Sequence, residues 1–92
     1  MIRLRGHMIC TSAEEVALVT THLPEHTRLT RLEPGCTGFE VTPTDDPMVF
    51  EVMETFRTRA DFDAHQVRMR ESEWFKHTQP IARAYRVEEI GD

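Results

Sequence analysis

Apolar and polar residues alternate along residues 2–10, a pattern that indicates a β-strand with one apolar face. Residues 37–44 and 48–56 flank the turn signature Asp-Asp-Pro and show the same period of two, so we predict that they form a hairpin. The stretch Ile-Ala-Arg-Ala-Tyr-Arg-Val-Glu-Glu-Ile, residues 81–90, is predicted to form the last strand.

The apolar residues between the first strand and the hairpin recur with a helical period instead. Ser12 and Glu15 form a capping box, which predicts that a first helix begins at Ala13. Pro24 lacks an N–H and clashes with the carbonyl four residues earlier, so we expect the helix to stop or kink there. A second helical piece is then expected over roughly residues 25–33.

Another helical region begins after Thr58, which forms a cap with Asp61; it restarts at Ser72 and ends at Pro80. The order is therefore β-α-β-β-α-β, in a single domain over residues 1–92. This order predicts an α+β, ferredoxin-like fold with both helices on one face of a four-stranded antiparallel sheet. Apolar residues on the other face predict a homodimer formed sheet to sheet, as in a dimeric α+β barrel.

Charge and composition exclude several classes of partner. The net charge is −5 and no run of Lys or Arg forms a stripe, so neither nucleic acid nor an anionic membrane is an expected partner. The amino-terminal residues form neither a signal peptide nor a membrane span, and a cytoplasmic protein is expected. Cys10 and Cys36 should lie at opposite ends of the sheet, so we predict two thiols and no disulfide.

Residues 22–26, His-Leu-Pro-Glu-His, match the H-x-x-E-H pattern of zinc hydrolases. Pro24 separates the two histidines of this pattern, and no third ligand is apparent, so we predict no metal site. The four glycines are scattered and form no glycine-rich strand-to-helix turn, so no nucleotide cofactor is predicted either.

Three segments resemble the antibiotic biosynthesis monooxygenase superfamily of dimeric α+β barrels, which includes quinol monooxygenases. They are Glu-Pro-Gly-Cys-Thr-Gly-Phe-Glu-Val, then Asp-Asp-Pro-Met-Val-Phe-Glu-Val-Met-Glu-Thr-Phe, then Ala-Asp-Phe-Asp-Ala-His-Gln. The resemblance extends from about Glu33 to His77. It rests on the order of Glu-Pro-Gly-Cys, the pair Glu54 and Phe56, and an aromatic residue three positions before His65.

The resemblance implies a ferredoxin-like homodimer with a ligand cavity between sheet and helices. Several members oxidise phenolic or quinol-type substrates with O2 and without metal or flavin, because the deprotonated substrate supplies the electrons. Others degrade haem, isomerise small carbonyl compounds or have no demonstrated activity. The haem-degrading branch has an aromatic residue at the position of His65 and a haem-ligating histidine displaced by a residue or two from His77. No haem is therefore predicted, and no cofactor of any kind.

His65 is the leading candidate for a catalytic residue. Phe62, His65 and Met69 share one arc of the second helix, which turns the imidazole towards the sheet, where it could take a phenolic proton. A semi-buried histidine that only holds helix to sheet remains the alternative. The candidates for substrate contact, for each of which core packing is the alternative, are Phe39, Met53, Phe62, Met69, Trp74 and Tyr85.

Two further polar residues are open to more than one interpretation. His7 faces the same side as Arg3 and Arg5, and pairing with Glu51 is favoured over contact with substrate. Glu54 lies among apolar neighbours and needs a partner, for which the candidates are Arg83, Arg86 and His65.

The predicted function is that of a cofactor-independent monooxygenase. It would oxidise a small phenolic, quinol or polyketide-like aromatic substrate with O2, held between the sheet and the helices. Two alternatives stay open: a non-oxidative isomerase or decarboxylase acting on a small carbonyl compound, and a non-catalytic binding or stress-associated module.

Overall fold

The computed structural model describes residues 1–91, which form four strands and three helices. The elements are β1 (Ile2–Ile9), α1 (Ala13–Arg31), β2 (Cys36–Pro43), β3 (Val49–Phe56), α2 (Arg59–Arg70), α3 (Glu73–Thr78) and β4 (Ala82–Glu89). This order confirms the predicted α+β, ferredoxin-like arrangement, with the second helical region divided at Ser72. Among residues 1–91, no helix has both the length and the apolar character needed to cross a bilayer.

The sheet has the strand order β2-β3-β1-β4, and every neighbouring pair is antiparallel. One face packs against the helices and carries the core, since residues at alternate positions of β1 and β3 are buried. The largest fully buried side chains include Phe56, Met8 and Val52. Cys10 and Cys36 are free thiols, as predicted, because β1 and β2 run in the same direction on either side of β3.

The helix starts agree with the capping residues seen in the sequence. The Ser12 hydroxyl accepts from the Glu15 N–H at 3.2 Å, and the Thr58 hydroxyl accepts from the Asp61 N–H at 3.1 Å. Ser72 caps α3 in the same way, by accepting from the N–H of Phe75 at 3.2 Å. This last cap sets where the helical region restarts.

Of the two outcomes expected at Pro24, a stop or a kink, the stop is wrong. The helix runs without a break from Ala13 to Arg31 and contains Pro24 in its interior. Val19, His26 and Thr30 form its buried face, on both sides of the proline, and their packing offsets the lost hydrogen bond. The packing of α1 against the rest of the protein therefore outweighs the tendency of Pro24 to end the helix.

The uncovered face of the sheet is more polar than predicted. Arg3 pairs with Glu88 there at 2.8 Å, and Arg5 lies directly opposite Arg86 on β4. The large apolar side chains exposed on this face include Ile9 and Met53, each 39% exposed.

Candidate functional site

His65 lies at the centre of a line of polar groups between α2 and the sheet. The side chain is 2% exposed, and its Nδ1 lies 3.0 and 3.1 Å from the two carboxylate oxygens of Glu33. Because a carboxylate only accepts hydrogen bonds, Nδ1 carries the hydrogen and Nε2 holds the lone pair of the neutral ring. Glu33 therefore fixes both the tautomer and the orientation of the imidazole.

Glu33 follows α1 and precedes β2, and a second side chain of α2 holds it in place. The guanidinium of Arg68 donates from Nε to Glu33 and from Nη2 to the Thr30 hydroxyl, the latter at 3.0 Å. The sequence interpretation used Glu33 only to mark the end of the helix. Nothing in the sequence pattern relates this turn residue to a histidine 32 positions later.

Glu54 lies on the other side of His65, on β3. Its Oε1 is 3.6 Å from Nε2 of His65, too far for a hydrogen bond, and it has no other partner among residues 1–91. Burial raises the pKa of Glu54 to about 7, the nearby Glu33 carboxylate adds to this, and Arg83 partly opposes it. Of the three partners considered for Glu54, the structure brings His65 closest.

Burial also lowers the pKa of His65, and Arg68 acts in the same direction, although the hydrogen bond and the charge of Glu33 oppose both. The two shifts favour the uncharged form of each group, a protonated carboxyl at Glu54 beside a neutral imidazole at His65. The pair is therefore able to accept or release one proton.

This pair opens into a cavity of about 170 Å³ between the helices and the sheet. The lining residues are Leu4, His26, Glu54, His65, Gln66, Met69, Trp74, Phe75, Arg83 and Tyr85. Arg83 is held by three hydrogen bonds, at 2.9 and 3.0 Å to the carbonyls of Thr78 and Ile81 and at 2.9 Å to the Thr78 hydroxyl. Burial raises the pKa of Tyr85 to about 12, so its hydroxyl stays protonated at neutral pH.

The structure brings together only part of the predicted substrate-contact set. Met69, Trp74 and Tyr85 line the cavity with His65. Phe39 and Phe62 are buried beside it: Phe39 packs edge-on against His26, and Phe62 packs edge-on against Phe56.

Met53 does not reach this cavity. It alternates with Val52 and Glu54 along β3, so its side chain lies on the uncovered face of the sheet, where it is 39% exposed. On the same face His7 lies directly opposite Glu51, the neighbour expected for it.

His26 is a residue of the site that the sequence interpretation missed. It is 4% exposed, its ring stacks on Trp74 at 4.8 Å, and its centroid is 6.1 Å from that of His65. Burial lowers its pKa to about 3, helped by the neighbouring charges of His65, Arg68 and Arg83. The sequence did contain a signal for its burial, because His26 follows Val19 by two helical turns and therefore lies on the same face of the helix.

The H-x-x-E-H pattern lies on one continuous helix, so the first of the two reasons given above for rejecting it, the position of Pro24, does not hold. Its histidines have other neighbours, since His22 stacks on His77 at 4.1 Å and His26 stacks on Trp74. Within residues 1–91, no group of three or more His, Cys, Asp or Glu side chains is placed to hold a metal ion.

Fold and site together define a class: a ferredoxin-like α+β protein with a buried carboxyl–imidazole pair in a cavity between sheet and helices. A sequence profile described as antibiotic biosynthesis monooxygenase matches residues 5–79. The chain belongs to this family, as the resemblance predicted. Membership supports a monooxygenase-type function.

Solved structures agree with this fold. One is a protein of Deinococcus radiodurans provisionally named an antibiotic biosynthesis monooxygenase, with a TM-score of 0.78 and 22% identity over 100% of this chain and 94% of that one. A similarly named protein of Nitrosomonas europaea has a TM-score of 0.75 and 22% sequence identity, and the match covers 98% of both chains. Rv0793 of Mycobacterium tuberculosis has a TM-score of 0.77 and 17% sequence identity, and the match covers 99% of this chain and 95% of that one. No protein of curated function matches the sequence.

Proposed function

We propose that the protein is a cofactor-independent monooxygenase that oxidises a small, single-ring phenol or quinol with O2 in the inner cavity. The observation that carries the proposal is the Glu54–His65 pair, buried in the wall of a cavity with aromatic and apolar neighbours. Such a pair takes a phenolic proton, and the phenolate that results is electron-rich enough to react with O2.

We assign Glu54 as the general base that removes the proton of the substrate hydroxyl. Its pKa of about 7 lies near neutral pH, where a general base is most effective. Nε2 of His65, 3.6 Å away, receives the proton in turn because its lone pair faces the carboxyl group. This assignment extends the expectation that His65 alone is the base.

Glu33 is a positioning residue in this scheme. It holds Nδ1–H of His65 at 3.0 Å and stabilises the imidazolium that forms when Nε2 is protonated. Arg68 holds the Glu33 carboxylate in place. Loss of Glu33 would leave the imidazole free to turn and would weaken it as a proton acceptor.

Arg83 supplies the positive charge that a phenolate needs. Its guanidinium lines the cavity, and its hydrogen bonds to Thr78 and Ile81 hold it in one orientation. A preorganised cation in a largely buried site stabilises developing negative charge with little reorganisation.

The size of the cavity limits the substrate. At about 170 Å³ it is smaller than the roughly 300–1,000 Å³ of sites that hold drug-sized ligands. A single substituted ring fits this volume better than a polycyclic skeleton. Met69 and Trp74 then pack against the faces of that ring.

The reaction balances without a further reductant. The phenolate passes one electron to O2, and the phenoxyl radical and superoxide combine to form a C–O bond at a ring carbon that carries hydrogen. The base pair removes that ring proton as the O–O bond breaks, and the leaving hydroxide is protonated to water. In total, one phenol and one O2 give one quinone and one water, and each product contains one of the two atoms of O2.

Oxygen uptake with hydroquinone or catechol as substrate, in protein freed of metal by chelation, tests the proposal. Glu54→Gln keeps the shape but removes the base, and His65→Asn keeps a donor towards Glu33 but removes Nε2. Each variant is expected to lower kcat by roughly 100-fold or more, the usual share of a general base. Glu51→Gln, on the other face of the same strand, is the control and should retain wild-type kcat. Uptake that is unchanged in both site variants would contradict the assignment.

A further inference from the structure

A second and larger cavity lies between α1 and the α2–α3 region, on the helical side of the molecule. We call it the interhelical groove; its volume is about 430 Å³, within the range of small-molecule sites. The lining residues are Thr21, His22, Glu25, His26, Leu29, Arg68, Glu71, Ser72, Glu73 and Trp74. The proposed chemistry in the inner cavity makes no use of this space.

Aromatic rings form the inner wall of the interhelical groove. Trp74 and His26 are stacked at 4.8 Å with an interplanar angle of 5°, and both also line the inner cavity. His26 is 4% exposed, and its Nδ1 has no hydrogen-bond partner among residues 1–91. A buried polar atom without a partner is uncommon, and here it belongs to the wall of a cavity large enough for a ligand.

The charges around the groove are mainly negative. Glu25, Glu71 and Glu73 line it. Glu25 pairs with Arg28 and Glu73 lies 3.3 Å from Nε2 of His77, whereas Glu71 forms no ion pair within residues 1–91. The one arginine of the lining, Arg68, donates its hydrogen bonds away from the groove, to Glu33 and Thr30. An anion would meet the carboxylate of Glu71 here, whereas a cation would be attracted to it.

His26 adds no positive charge to this environment. Burial lowers its pKa to about 3, so the ring is neutral at physiological pH and does not repel a cation. A neutral imidazole also has one ring nitrogen that accepts a hydrogen bond.

We propose that the interhelical groove binds an aromatic ammonium ion. Its ring would pack on Leu29 and the Trp74–His26 wall, and its ammonium group would lie among the carboxylates of Glu71 and Glu73. Aromatic rings pack favourably against one another, so the Trp74–His26 wall suits the ring of such a ligand. The inference does not depend on the oxidation chemistry, because the groove lies on the outer side of the shared wall.

Trp74 is the only tryptophan of the chain, so its fluorescence reports directly on this wall. We would titrate the protein with three probes of similar shape: phenethylammonium, 2-phenylethanol and phenylacetate. The ammonium ion is expected to bind about fivefold or more tightly than the alcohol, and phenylacetate more weakly than either. Addition of salt should weaken the binding of the ammonium ion and leave the alcohol unaffected.

Substitutions locate the binding site. Glu71→Gln combined with Glu73→Gln should weaken phenethylammonium binding about fivefold and leave 2-phenylethanol unchanged. Glu51→Gln, which removes one negative charge on the uncovered sheet face and outside the groove, is the control and should have no effect. Equal affinity for the three probes, or full affinity in the double variant, would overturn the proposal. Loss of binding in Glu54→Gln but not in the double variant would place the probe in the inner cavity and would overturn it as well.

Discussion

Glu54 connects the stability of the fold with the chemistry proposed for the cavity. A carboxyl group among apolar strand residues loses much of its hydration, and this disfavours its charged form. The neighbouring imidazole of His65 offers a proton acceptor 3.6 Å away without a charge of its own. The same desolvation that makes Glu54 costly to ionise makes it a stronger base once it is ionised.

The stability of the protein should therefore depend on pH through Glu54. Its pKa is about 7 in the folded protein against an ordinary value of 4.5, so the folded state binds more protons between these limits. The contribution of Glu54 to the free energy of unfolding should fall as the pH rises from about 4.5 to 7, because stability falls wherever the folded state binds more protons. His26, whose pKa burial lowers to about 3, contributes in the opposite direction, so the share of Glu54 is measured as the difference between wild type and a Glu54 variant.

Glu54→Gln removes this proton binding and, with it, the share of the pH dependence that Glu54 contributes. At about 1.4 kcal/mol per pKa unit, the free energy of unfolding of the variant should increase relative to that of wild type by roughly 2 to 3 kcal/mol between pH 4 and pH 8. Urea unfolding at both pH values measures the gain. Equal differences between variant and wild type at the two pH values would contradict the raised pKa.

Sequence alone predicted the residues of the site whose positions follow a regular period. His65 shares an arc of α2 with Phe62 and Met69, so its inward orientation could be predicted. Glu33 could not be predicted as its partner, because it lies in a turn and its direction depends on Arg68 of another element. Met53 was a candidate for substrate contact but lies on the uncovered face, as its alternation with Glu54 along β3 already indicated.

At the scale of the elements, α1 shows how packing outweighs a local signal. The capping residue Ser12 correctly predicted its start, but Pro24 did not end it. The buried residues on both sides of the proline hold the helix against the sheet and α3. Strand alternation and capping residues correctly predicted the strands and the helix starts, because each depends on a few adjacent residues. Whether Pro24 ends the helix depends instead on contacts with residues distant in the sequence.

Pro24 should therefore still lower the stability of a helix that tolerates it. Pro24→Ala restores an N–H donor and removes the ring clash, so we expect the free energy of unfolding to rise by about 1 to 3 kcal/mol. Thermal and urea unfolding measure this gain. Thr20→Ala, an exposed position of the same helix, is the control and should change stability by only a few tenths of a kcal/mol, the difference in helix propensity. A destabilised Pro24→Ala protein would show that the proline supports the packing of α1.

At the scale of the whole molecule, the helices cover one face of the sheet and leave the other open. We expect two copies to associate through this open face, although its arginines and glutamates make it more polar than the sequence suggested. Ile9 and Met53 provide its exposed apolar contacts. The inner cavity and the interhelical groove lie on the helical side of the sheet, so such a dimer would leave both accessible.

Met53→Glu tests this association. A buried charge at a dimer interface is costly, so light scattering should show a smaller mass than for wild type, with an apparent dissociation constant raised about tenfold or more. Val67→Glu, an exposed position on α2, adds the same charge elsewhere and should leave the mass unchanged. A wild-type protein that is monomeric at micromolar concentration would contradict the expectation.

The most direct test of the proposed oxidation is the fate of the two atoms of ¹⁸O₂ during turnover of hydroquinone by metal-free protein. The account predicts one labelled oxygen in a hydroxyquinone product and one in water, with this labelling lost in Glu54→Gln and kept in Glu51→Gln. Labelled hydrogen peroxide with an unlabelled quinone would contradict a monooxygenase. Turnover without any O2 uptake would contradict oxidation chemistry at this site altogether.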